Sequence, residues 1–450
     1  MTRDRHGEVV SLLVDLIRNR CVNDGSPDSG HEHRSVTTLQ AFLGAKGEVF
    51  EPHPGRQSVL FRIPGTRPGA PRLMLLGHLD VVPANAGEWS VPPFEGVRGD
   101  GFVWGRGTVD MLNQTATMAA VTRRYLSGDL PPLPGDLLFL AVADEESGGR
   151  FGAAHLVAEH WDRVATEYLI SEMGAPMLSG VAGPGLPVTV AEKGPHWRRL
   201  RSRGVPGHGS QPYGAANALV RLAGAIAILG DDPPPARIGP LWRSFVAAWD
   251  PEPDLKSALV DPDRVETAIE TIAGYDTGLA RWVHACTHMT VSPNTMRAGV
   301  KMNVVPDLAE AEIDVRLLPG QETADLDLYL ATVLDPGPGS SLEIEEVEST
   351  PAGDSPAEGP LWDAIGDALD EVTGLRRLLP TMIPVATDAR FFRQRGTRCY
   401  GFIVGDDRVG FSEHMAMFHG HDERISEGSL ALTADHLAAT VRRFGEITAS

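Results

Sequence analysis

The chain has 450 residues, more than the roughly 250–300 that one hydrophobic core usually serves, so two domains are expected. Its 42% hydrophobic and 22% charged residues describe an ordinary soluble globular protein. A formal net charge of −20, with no basic cluster, argues against nucleic acid and membrane surfaces as partners and leaves small molecules and metals.

Three scattered cysteines, Cys21, Cys286 and Cys399, make neither a disulfide framework nor a cysteine-rich zinc site, and a reducing, cytoplasmic location is expected. The N-terminus places Val9, Leu12, Leu13, Leu16 and Ile17 at helical spacing broken by charge, which reads as an amphipathic helix and not a signal peptide. A Gly/Ser/Asp-rich loop over 23–35 follows. Its His31-Glu32-His33 has metal-ligand chemistry but reads as solvated loop, and a second helix is expected near 36–45.

The apolar run from Leu73 to Val82, bounded by Pro71 and Pro83, is expected to be a buried strand. His78 and Asp80 stand at its carboxyl end, the edge where an open α/β sheet holds its ligands. A Gly/Pro-dense stretch then leads to Asp110, which precedes a helix over 111–126. Two further buried strands, Leu137 to Ala143 and Tyr168 to Ser171, deliver Glu145-Glu146 and Glu172. Strands alternating with helices predict an α/β fold with a mostly parallel, helix-covered sheet.

From about residue 192 the pattern changes. A half-exposed strand near 197–202, the turn Gly207-His208-Gly209-Ser210, and a helix over 213–229 lead to a Pro-rich connection and a stretch to about 285 whose structure the pattern leaves open. Strands near 288–292, 311–317 and 342–348 and a helix near 323–334 predict an inserted α+β domain over 192–348. Residues 1–191 and 349–450 would form one discontinuous metal-binding domain, closed by a helix at 360–373, a strand at 399–404 and a helix at 427–445.

Collected in order, the polar strand-end residues are His78, Asp80, Asp110, Glu145, Glu146 and Glu172, with His419 near the other end. Histidines and carboxylates without cysteine suit two divalent ions, Zn²⁺ before Co²⁺ or Mn²⁺. Adjacent glutamates past a strand end cannot both do one job, so one can bind metal while its neighbour acts as general base.

In these residues the chain resembles the co-catalytic zinc peptidase family of aminoacylase-1, carboxypeptidase G, acetylornithine deacetylase and succinyl-diaminopimelate desuccinylase. Seven segments in order carry the resemblance: Gly77 to Asp80, Gly105 to Asp110, Asp144 to Glu146, Gly207 to Ser210, Asn303 to Pro306, Thr387 to Arg390 and His419 to Glu423. It implies a zinc-peptidase-like catalytic domain with an inserted ferredoxin-like lid that dimerises. It also implies that His78 and Glu172 hold one metal, Glu146 and His419 the other, with Asp110 bridging, Asp80 orienting His78, and Glu145 as acid/base. His419, not His421, is the ligand by this likeness, because it lies four residues before Glu423. His208 would serve the partner's site in a homodimer as an oxyanion donor, and Asn303, Arg316 and Arg390 would hold a substrate carboxylate. Where the family commonly has Lys-Gly, this chain has Leu112-Asn113. The expected activity is hydrolysis of an amide bond in a dipeptide or N-acyl amino acid, with a non-catalytic binding relative and a di-metal phosphoesterase as the alternatives.

Overall fold

A computed structural model describes residues 2–334 and 342–449. Its main sheet runs in the order Glu48–His53, Arg56–Ile63, Leu137–Val142, Leu73–His78, Tyr168–Ser171, Arg398–Gly401, Gly183–Glu192. The four strands from Leu137–Val142 to Arg398–Gly401 are mutually parallel, and Leu378–Ile383 lies parallel to Gly183–Glu192. Antiparallel pairs join and flank these blocks. Every residue of Leu73–His78 and Leu137–Val142 is buried, as a parallel strand covered on both faces requires. The two faces are closed by separate apolar clusters, one receiving Leu75, Phe139 and Ile170, the other Leu76, Leu138 and Leu169.

The helix Leu112–Leu126 lies close against the end of the His78 strand. Thr115 Oγ1 donates to the His78 carbonyl at 2.9 Å, and a Cβ on Gly77 would stand 2.5 Å from that hydroxyl, so only glycine permits the approach. The Gly/Pro-dense stretch before it holds a short hairpin, Val97–Gly99 with Phe102–Trp104, and the C-terminal strand Arg424–Ser426 adds to its edge. That pairing brings the region around His419 to the region around Asp110.

The lid has the strand and helix sequence βαββαβ: Arg198–Arg203, helix Ala218–Asp231, Thr290–Ala298, Leu308–Leu317, helix Thr323–Leu334, Leu342–Glu346. With the strands numbered in that sequence the sheet order is 4-1-3-2, all antiparallel, which is the ferredoxin-like arrangement. Leu200, Ala309, Ala311, Ile313 and Val315 face inward onto Leu222, Leu229, Leu326 and Leu330. The alternate residues face out and pair across strands, Arg199 with Glu312 and Arg201 with Glu310.

The stretch left open over 230–285 is four helices, Pro240–Trp249, Pro253–Leu259, Val265–Ala273 and Thr277–Thr287. Buried residues of all four helices join the apolar cluster on one face of the first sheet, and Pro240–Trp249 lies against Leu378–Ile383 and Gly183–Glu192. The physical reason is aromatic. Trp242, Phe245, Trp249 and Trp282 form a cluster with centroids 5.1–6.0 Å apart along its contacts, and Trp282 reaches Phe411 of the C-terminal segment at 5.9 Å.

His31-Glu32-His33 is not a solvated loop throughout. Glu32 is fully buried, with Arg56 Nε donating to both its oxygens at 3.1 and 2.9 Å, and the second helix starts at His33. The three cysteines are free and buried, and burial pushes the Cys21 and Cys399 thiols up to about 12. Among the described residues no helix is long and apolar enough to cross a membrane.

Candidate metal centre

Five of the sequence-derived residues meet at the carboxyl edge of the parallel strands. His78 is fixed first: its Nδ1 lies 2.9 Å from the Asp80 carbonyl oxygen. A carbonyl can only accept, so Nδ1 carries a proton and Nε2 is the nitrogen turned to the cleft. There Nε2 stands 3.1 Å from Asp110 Oδ1 and 3.7 Å from Glu172 Oε2. On the opposite side His419 Nε2 stands 3.4 Å from Asp110 Oδ2 and 3.1 Å from Glu146 Oε2. Each oxygen of Asp110 thus faces a different histidine, and each histidine has its own glutamate. That is the geometry of a bridging carboxylate between two ligand pairs.

The Asp80 carboxylate has a task that residue spacing alone does not reveal. Its oxygens accept the backbone N–H groups of Glu145 and Glu146, both at 3.2 Å, and the Asn23 amide at 2.9 Å, while the His78 ring is 3.7 Å away. It holds the turn that carries the glutamate pair. Behind it Asn23 also donates to Asp144 at 3.1 Å, and Arg56 joins Asp144 to Glu32. Asn23 and Arg56 stand in no local pattern, and only the folded strand order brings them here.

The electrostatics are those of a site built for cations. Burial raises the Glu145, Glu146 and Glu172 carboxyls, Glu146 to about 7, and neighbouring carboxylates reinforce it, Glu172 for Glu145 and Asp110 for the other two. Burial opposes charge on His78, yet hydrogen bonds to Asp110 and Glu172 raise it, and hydrogen bonds to Asp110 and Glu146 raise His419 to about 10. Glu146 Oε1 is buried without a hydrogen-bond partner. Buried carboxylates this crowded need positive charge between them, and an orphaned carboxylate oxygen beside two histidines fits a divalent ion. Two sets of donor atoms lie within 4.8 Å of one another: His78 with Glu145 and Glu172, and His78 with Asp110 and Glu146.

The remaining predicted residues lie apart. Gly207–His208 pairs with Val304–Val305 as a two-stranded ribbon on the lid, and Gly209 N donates to the Asn303 carbonyl at 2.8 Å, so His208 and Asn303 are neighbours. Both are exposed. The Ser210 N–H donates to His208 Nδ1 at 3.2 Å, which leaves Nε2 as the protonated nitrogen. Arg316 gives its fork to Asp314 at 2.8 and 3.1 Å. Arg390 donates to the carbonyls of Thr387 at 2.9 Å and Gly148 at 3.1 Å, tying its loop to the end of the glutamate turn.

Residues 74–443 match the family model described as Peptidase family M20/M25/M40. The chain belongs to this family. Rat (Rattus norvegicus) aminoacylase-1B is 26% identical over 428 residues, covering 93% of this chain and 90% of that one. Succinyl-diaminopimelate desuccinylase of Paracoccus denitrificans is 31% identical over 227 residues, 49% of this chain and 56% of that one. Among solved structures, the M20 family metallo-carboxypeptidase Sso-CP2 of Sulfolobus solfataricus superposes with a TM-score of 0.74 at 17% identity, covering 98% and 99% of the two chains. The member of the M20/M25/M40 family described here is accordingly a hydrolase, with residues placed to hold metal ions at the strand edge.

Proposed function

We propose that the protein is a dinuclear metal-dependent amidohydrolase that cleaves an amide bond in a small carboxylate-bearing substrate, an N-acyl amino acid or a dipeptide. The observation that supports it most is the split of Asp110 between His78 and His419. In this reading His78 and Glu172 hold one ion, Glu146 and His419 the other, and the ions are zinc, with cobalt or manganese as substitutes. Bound there, the ions would supply Lewis-acid polarisation of the amide carbonyl and would acidify the attacking water.

Glu145 takes the proton of that water and returns it to the leaving amine. Its neighbour cannot share this role, because Glu146 already faces His419 at 3.1 Å while Glu145 lies on the side of His78 and Glu172. Burial raises its carboxyl, the direction that makes it a better proton acceptor than an exposed carboxylate. His208 of the partner subunit supplies the oxyanion donor through its protonated Nε2. Its exposed position, on a ribbon with Ser210 as the one hydrogen-bond partner of its ring among the described residues, supports a role across a homodimer. Asn303, Arg316 and Arg390 are the proposed contacts of the substrate carboxylate, with Arg316 exchanging Asp314 for the substrate.

The test is a screen of N-acyl amino acids against dipeptides with zinc, cobalt and manganese. Metal-dependent turnover of either class supports the reading. Binding without turnover after metal is restored would instead favour a non-catalytic relative.

A further inference from the structure

We propose that Glu423 and Arg106 are positioning residues of the metal centre, a buried ion pair that sets where Asp110 and His419 stand relative to each other. The proposal rests on the dinuclear reading above. Glu423 is fully buried, and the loop from Gly105 to Asp110 wraps its carboxylate. Oε1 accepts the backbone N–H of Gly107 at 3.1 Å, of Val109 at 2.6 Å and of Asp110 at 3.1 Å. Oε2 accepts from Gly107 N at 3.0 Å and from Arg106 Nη1 at 2.9 Å. Successive N–H groups converging on one anion form a nest, and here the protein fills the nest with its own carboxylate.

The same pair reaches the other ligand. Arg106, 3% exposed and with its guanidinium carbon 5.3 Å from the Trp89 ring, extends Nη2 to the His419 carbonyl at 3.4 Å and to the Pro83 carbonyl at 3.5 Å. The Glu423 carbonyl in turn accepts from Gly105 N at 2.9 Å. A residue four positions after His419 therefore grips the backbone of Asp110, and a residue four positions before Asp110 grips the backbone of His419. His78, Glu146 and Glu172 have no bond to this pair among the described residues. Its influence reaches both ions through Asp110 and falls most on the one that His419 also holds. A simple staple between the two halves of the chain would have needed one of these bonds, not a set that converges on two ligand backbones.

The experiment measures metal affinity, by chelator competition, for the wild type and for Glu423→Gln, which keeps the shape and removes the charge. Cobalt spectra of both report ligand geometry independently of turnover. The expected result is two ions in the wild type and, in the variant, one of them weakened by about 10- to 100-fold with an altered cobalt spectrum, as is usual when a ligand's supporting partner is lost. Excess metal should restore activity. Two ions at wild-type affinity and an unchanged spectrum in Glu423→Gln would overturn the proposal, whereas a wild type that binds no metal would overturn the dinuclear reading with it. Should Glu423→Gln fail to fold, Arg106→Lys decides in the same assay: it keeps the charge and loses the fork to His419, so the same selective weakening is expected and unchanged affinity would overturn the proposal.

Discussion

In the cleft, His78 is 1% exposed, its tautomer is set by a carbonyl, and the turn bearing Glu145 and Glu146 hangs from Asp80. On the lid ribbon His208 is exposed, and among the described residues its ring bonds only to Ser210, two residues away. The Tyr213 and Met302 side chains beside it lie entirely in solvent. One region is organised in advance by the fold around it. The other has polar groups of the right kind and little to hold them. Rigid support belongs where charge must be concentrated, and exposure belongs where a surface is completed by something outside the chain.

The largest effect that sharpens this contrast is expected at the glutamate pair. Glu145→Gln should lower kcat by about 10²- to 10⁴-fold with metal content unchanged, the range for losing a general base. Glu146→Gln should instead lose metal, since it removes a partner of His419. Metal analysis giving the reverse pattern would exchange the two roles. On the lid, His208→Ala should lower kcat by about 10²- to 10³-fold, as for an oxyanion donor, with metal content and thermal stability unchanged. A loss of metal in that variant would break the division between the regions.

A third prediction concerns the fold beneath the cleft. Trp282→Ala should cost about 3–5 kcal/mol in chemical denaturation, because Trp282 joins the helices of 240–287 to Phe411 in the first core. A cost below about 1 kcal/mol would mean the segment is only loosely attached. The smallest effect is expected on the ribbon, where Tyr213→Ala should shift unfolding by no more than about 0.5 kcal/mol while weakening self-association in sedimentation.

Where each strand announces itself in an apolar run, sequence and structure agree: Leu73 to His78, Leu137 to Val142 and Tyr168 to Ser171 lie where expected and bring their polar ends together. The long strand Gly183–Glu192 went unread because prolines and glycines interrupt its apolar pattern, although every residue from Gly185 onward is buried. Trp242, Phe245, Val246 and Trp249 do stand at helical spacing, so the helix they form was legible in principle, but not which sheet it would cover. His78, Glu145, Glu146 and Glu172 could be collected because they stand at or just past strand ends, whereas Asp110 precedes a helix and His419 follows one. Asn23, Arg56 and Arg106 could not, since their roles are bonds to groups far away in sequence: the carboxylates of Asp80 and Asp144 for the first two, the His419 carbonyl for the third. Asp80 shows the limit most plainly: its place beside His78 was legible, but its bonds to Glu145 and Glu146 depend on how two separate strands end.

The central claim is that one chain carries a finished metal cleft and borrows the lid histidine of another. Inactive Glu145→Gln subunits mixed with inactive His208→Ala subunits test it directly, with subunit exchange followed by mass. Each hybrid dimer would hold one cleft with Glu145 facing an intact His208 of the partner subunit, so activity should return to about a quarter of wild type at equal mixing, given random exchange and half of the dimers hybrid with one working site of two. Verified exchange without any recovery would contradict the account and place the action of His208 within its own chain.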